Sequence, residues 1–76
     1  MKKSIYSEQH DAIRHHLMAE RKKAGLTQSD VAEKAGRPQS FVAKYEGGER
    51  RLDIVEFLEL ANIIGFDALD LLKTLK

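Results

Sequence analysis

The segment at residues 25–46, GLTQSDVAEKAGRPQSFVAKYE, leaves a folding chain few choices. Gly25 stops the helix that precedes it as a C′ residue. Thr27 then offers its hydroxyl to the backbone N–H of Asp30, and Asp30 returns a shortened capping-box contact. Val31, Ala32 and Ala35 make a narrow apolar face before Gly36 ends the helix. A second helix follows at once, from Gln39 to Glu46, burying Val42 and Tyr45. Gly47 and Gly48 close it with residues that accept positive φ.

The flanking sequence supplies three more helices. The first spans residues 7–24, with Ile13, Leu17 and Ala24 at helical spacing and a polar opposite face. The fourth is signalled by Asp53 as N-cap, Glu56 at N3, and Leu52 and Phe57 as a hydrophobic staple; its expected core face is Ile54, Phe57, Leu58, Ala61 and Ile64. The fifth repeats the device, with Asp67 as cap and Phe66 set to pack on Leu71, and continues through Leu69, Leu72 and Leu75. No strand-like alternation, internal repeat or low-complexity segment interrupts this pattern. The expected fold is an all-α, compact five-helix bundle: one domain over residues 7–76, preceded by a flexible arm at 1–6. With 76 residues, one small core supplies only a few kcal/mol, so packing must be economical or helped by association.

Several function classes drop out early. There is no cysteine, which removes disulfides, thiolate metal sites and a cysteine nucleophile, and fits a reducing cytoplasm. No apolar run approaches the roughly 20 residues that cross a bilayer, and the first six residues lack the apolar centre of a signal peptide. A soluble cytoplasmic protein is expected. His10, His15 and His16 do not make a closed metal site, because neighbours on a helix point about 100° apart and no thiolate joins them. No nucleophile and base share a motif, and Gly47-Gly48 lacks the Lys-Ser or Lys-Thr of a phosphate loop. The chain reads as neither an enzyme nor a cofactor carrier.

What remains points to DNA. The net charge of +1 divides unevenly: residues 1–20 balance, residues 21–51 carry eight basic and four acidic side chains, and residues 52–76 carry two basic and five acidic. Solvated helix faces alone could produce such an asymmetry, but here the basic excess coincides with two short helices joined by a tight glycine-marked turn. That is the layout of a helix-turn-helix, over about residues 28–46, whose second helix lies in the major groove. Gln39 suits adenine N6 and N7, since its amide offers a donor and an acceptor. Ser40 can bond either kind of group, Phe41 can meet a thymine methyl, and Lys44 can reach guanine or a phosphate. Arg37, Arg50 and Arg51 flank the second helix in loops, where guanidiniums suit phosphate oxygens; the sequence does not choose between Arg50 and Arg51.

Arg21, the Leu-Thr-Gln entry, Gly36, Gln39-Ser40, Glu46-Gly47-Gly48 and Arg50-Arg51-Leu52-Asp53 together resemble the lambda-repressor-like (XRE or Cro type) DNA-binding family over residues 10–72. The resemblance implies that Gln39, Ser40, Phe41 and Lys44 face bases and that Gln28 bonds a phosphate while bracing Gln39. It also implies a partly buried salt bridge between Arg21 and Glu46, and pairing of two copies through the C-terminal helices. Phe66, Leu69, Leu72 and Leu75 are the expected dimer surface, offering more apolar area than one small bundle needs. Two positions depart from the family pattern. Pro38 replaces the usual Ser or Thr cap, and Tyr45 stands where Trp or Leu is common, as a core residue with a polar tip. The expected function is a sequence-specific transcriptional regulator, a repressor binding double-stranded DNA as a homodimer. The alternative is a protein-interaction module, antitoxin-like or adaptor, using its apolar C-terminal helix.

Overall fold

The computed structural model describes residues 8–75, and the arm expected at 1–6 lies outside them. Five helices follow one another: α1 (Glu8–Lys23), α2 (Gln28–Ala35), α3 (Gln39–Glu46), α4 (Ile54–Ile64) and α5 (Ala68–Lys73), with no strand among the described residues. Their borders are set by local chemistry. Thr27 accepts from the N–H of Asp30 at 3.0 Å and the Asp30 carboxylate accepts from the N–H of Thr27 at 2.9 Å, so both halves of the capping box form. Gly36 ends α2 at φ 69°, a conformation that lets the N–H of Arg37 reach back to Ala32 O at 2.9 Å and satisfy a carbonyl the helix leaves open. Asp53 and Glu56 cap α4 in the same reciprocal way. Pro38 starts α3 with no side-chain cap bond, as its missing donor and fixed φ allow.

The core gathers one layer from each helix. Leu17 of α1, Val31 of α2, Val42 and Tyr45 of α3, and Leu60 of α4 are fully buried, and Leu71 of α5 closes the cluster. The α1 stripe differs from the expected one: Ala24 is exposed and lies past the helix end, while His10 and Arg21 are buried alongside Leu17. These three residues share one helical face at spacings of seven and four, so polar groups occupy part of the inner stripe.

In α4 the sequence pattern misplaces the inner face. Phe57, Leu60, Ala61 and Ile64 are buried, whereas Ile54 and Leu58 are exposed together with Val55. The reason is that α4 is apolar nearly all round, and two different stripes satisfy helical spacing equally well. Burial is then decided by neighbours, which periodicity cannot see. Phe66 enters from the α4–α5 connection and meets Phe57 edge-on, with ring centroids 6.4 Å apart.

Candidate nucleic-acid interface

Helices α2 and α3 pack against each other, and α3 turns a polar edge outward. A chain of polar contacts crosses three helices behind that edge. Arg21 of α1 donates through Nε to Glu46 Oε2 at 2.7 Å and through Nη2 to Glu46 Oε1 at 3.0 Å, a two-pronged ion pair. Gln28 Nε2 of α2 donates to Glu46 Oε1 at 2.9 Å, and Gln39 Nε2 of α3 donates to Gln28 Oε1 at 2.8 Å. The expected ion pair and the expected brace of Gln39 by Gln28 are therefore both present. Their bonding leaves useful capacity. Gln39 has used one N–H, so its second N–H and its carbonyl oxygen are still available for the paired contact that an adenine edge requires. Gln28 likewise has one N–H left.

Arg14 adds a feature the sequence did not announce. Its Nη1 donates to the carbonyl of Glu46 at 2.6 Å, satisfying the C-terminus of α3, and its Nε pairs with Asp11 at 3.1 Å. A Cβ on Gly48, at φ 84°, would lie only 3.2 Å from Arg14 Nε, so the glycine serves both the backbone conformation and the approach of this guanidinium.

The arginines flanking α3 converge on one carboxylate. Arg50 donates through Nη1 to Glu56 Oε1 at 3.0 Å and through Nη2 to Oε2 at 2.9 Å, while Arg37 Nη1 lies 3.2 Å from Glu56 Oε2. Hydrogen bonds from Arg50, then the Asp53 N–H, hold the Glu56 carboxyl down at about 2, and the same pairing raises Arg50 above its usual range. Both guanidiniums lie over the Phe41 ring, at 4.5 Å for Arg37 and 4.8 Å for Arg50.

Phe41 is consequently a correction to the expected interface. It is 7% exposed, packs edge-on against Tyr45 with centroids 5.4 Å apart, and is covered by the two arginines, so its ring is not offered to a thymine methyl. The signal was available in the sequence, since Phe41 and Tyr45 stand one helical turn apart on the inner face. Gln39, Ser40 and Lys44 are exposed, and Ser40, Lys44, Arg37 and Arg50 line a shared concavity of about 450 Å³. Arg51 is exposed as well, and its carbonyl accepts from Arg50 Nη1 at 2.9 Å. Tyr45 is fully buried, its hydroxyl has no protein partner, and burial pushes that hydroxyl above its usual titration range.

The C-terminal surface also differs from expectation. Phe66 and Leu72 pack against the core, Leu75 is half-buried, and only Leu69 stands clear, at 67% exposed. Among the described residues, the other large exposed apolar side chains are Ile54, Val55 and Leu58 of α4. No group of three or more potential metal ligands occurs among the described residues, and no helix among them is long and apolar enough to cross a membrane.

Known proteins place this geometry. The model of the helix-turn-helix domain family matches residues 12–75. Among solved structures, an XRE-family like protein from Pseudomonas syringae pv. tomato str. DC3000 is 45% identical and superposes with a TM-score of 0.84, over 88% of this chain and 82% of that one. The wild-type restriction-modification controller protein C.Esp1396I superposes with a TM-score of 0.82 over 91% of each chain; at 19% identity it shares the fold alone. Comparison with curated proteins yields no match. The matched family model, the 45% identical relative and the α2–turn–α3 geometry agree: this chain belongs to the XRE-type helix-turn-helix family of DNA-binding transcription regulators.

Proposed function

We propose that the chain is a cytoplasmic repressor that binds a pseudo-palindromic operator as a homodimer, placing one α3 in each half-site and occluding a promoter. Half-site centres would lie about 34 Å apart, one turn of duplex. The observation that carries this reading is the relay from Arg21 through Glu46 and Gln28 to Gln39, which fixes a side chain while leaving it a donor and an acceptor. Fixing the reader beforehand reduces the conformational freedom lost on binding, which favours affinity for the base it meets. Gln39, Ser40 and Lys44 read bases; Gln28, Arg37, Arg50 and Arg51 meet phosphates. The exposed turn of Ile54, Val55 and Leu58, with Leu69, supplies apolar surface for a second copy.

Selection of sites from a random duplex pool, followed by fluorescence anisotropy over a salt series, tests the proposal. An enriched inverted repeat with steeply salt-dependent affinity supports it. On the best site, Gln39→Ala should cost about 1–3 kcal/mol and relax choice at one base pair, while Arg51→Ala weakens all sequences alike. Identical behaviour of the two variants refutes these roles. The exposed α4 residues also favour a second reading, a protein-interaction module. No enriched site, together with a partner bound indifferently to salt, would select that reading.

A further inference from the structure

Arg37 precedes α3 and Arg50 follows it, yet both reach the same carboxylate on α4 and the same aromatic ring. Glu56 itself is 8% exposed, and its Oε1 also accepts from the N–H of Asp53 at 3.0 Å, so it is anchored to the first turn of α4 before either arginine is counted. The arginines are far less buried, with side chains 35% and 37% exposed. A guanidinium carries five N–H donors. Arg50 directs its two terminal nitrogens at Glu56 and at the carbonyl of Arg51, and Arg37 directs Nη1 at Glu56, so each cation keeps donors for another acceptor. The cluster holds two positive charges and one negative and so retains net attraction for an anion.

We propose that Glu56 is a positioning residue of the DNA face: it holds Arg37 and Arg50 against Phe41 so that phosphates are received at one register relative to Gln39. This rests on the DNA-binding reading given above. Two unrestrained arginines would attract phosphate more strongly, because no carboxylate would neutralise part of their charge, but would accept it in many registers. Phosphate contacts carry no base information themselves; they set where the reading side chains fall. Glu56 thus lowers attraction to any duplex and raises discrimination between duplexes.

The test is Glu56→Gln in the full chain, whose amide oxygen retains an acceptor for the Asp53 N–H while the charge is lost. Affinity for the selected operator and for a scrambled duplex is measured by anisotropy over a salt series, after a thermal melt has verified folding. The expected result is tighter binding to scrambled DNA, a salt slope steeper by about 0.9, equal to one phosphate contact, and an operator-to-scrambled ratio lower by about tenfold. A merely structural role would lower both affinities in parallel and leave their ratio alone. That parallel loss, or an unchanged ratio and slope, overturns the proposal.

Should Glu56→Gln fail to fold, Phe41→Leu decides, since it removes the aromatic face beneath the arginines without altering charge. There the ratio should fall at constant slope, and an unchanged ratio overturns the proposal. Salt-dependent DNA binding by the wild-type protein, with equal discrimination by the variant, defeats only the role of Glu56. A wild-type protein with no salt-dependent DNA binding defeats the underlying reading as well.

Discussion

Glu46 and Glu56 are chemically the same device in two settings. Each is a buried glutamate receiving a two-pronged guanidinium and one further hydrogen bond, from Gln28 in the first case and from the Asp53 backbone in the second. They differ in their cations. Arg21 is nearly as buried as Glu46 and also donates to the carbonyl of Leu26 at 2.8 Å, so its role is to join α1 to the end of α3. Arg37 and Arg50 leave part of their surface in solvent. A carboxylate whose cation is buried ties the fold together, and one whose cations are exposed arranges a surface.

Removing Glu46 should have the largest effect. Glu46→Ala leaves the Arg21 guanidinium buried without its partner and takes the acceptor from Gln28, so unfolding in denaturant should show a loss of about 3–5 kcal/mol. A loss no greater than that of an exposed substitution would erase the distinction between the two clusters.

Acid should act on the second cluster with a smaller effect. The Glu56 carboxyl sits at about 2 in the fold against 4.5 ordinarily, so the unfolded chain takes up its proton first as pH falls. The contribution of Glu56 is complete above about pH 4.5 and disappears progressively towards pH 2. Because water screens its exposed partners, that contribution should be on the order of 1 kcal/mol. Melting temperatures across this window should fall less steeply for Glu56→Gln than for the parent, and parallel curves would contradict the assignment.

The smallest effect concerns Tyr45, the fully buried neighbour of Glu46 whose ring also supports Phe41. Its hydroxyl has no protein partner, so Tyr45→Phe removes a group that burial disfavours and should change stability by no more than about 1 kcal/mol, in the stabilising direction. A clear destabilisation would mean that this hydroxyl belongs to the Glu46 cluster.

The contrast also explains what the sequence could disclose. Helix borders depend on short-range chemistry, so Thr27 with Asp30, Asp53 with Glu56, and Gly36 identify α2 and α4 without tertiary information. The span Gln39–Glu46 of α3 was legible for the same reason. The buried face of α4 was not, because its apolar residues surround the helix and tertiary neighbours choose among them. Nor was the second role of Glu56, whose local signature as a capping residue is complete and hides its attachment to Arg37 and Arg50. Arg21 and Glu46 were paired through family resemblance; nothing in their spacing joins residues on different helices. Leu72 and Phe66 read as surplus apolar surface until the bundle supplied Phe57 and the core to cover them.

The bond from Gln39 to Gln28 bears on how a DNA preference could be moved between proteins. Under the proposed function, the unit of recognition is an amide pair, one member on each helix of the motif, because the Gln28 amide oxygen that accepts from Gln39 determines which way the Gln39 amide faces. Transplanting α3 alone into a related scaffold that lacks a glutamine at the position of Gln28 would carry the letters without their orientation. Retargeting by swapping residues 28 and 39 together should preserve that orientation, and libraries that vary only the outward face of α3 would sample readers that are free to swivel.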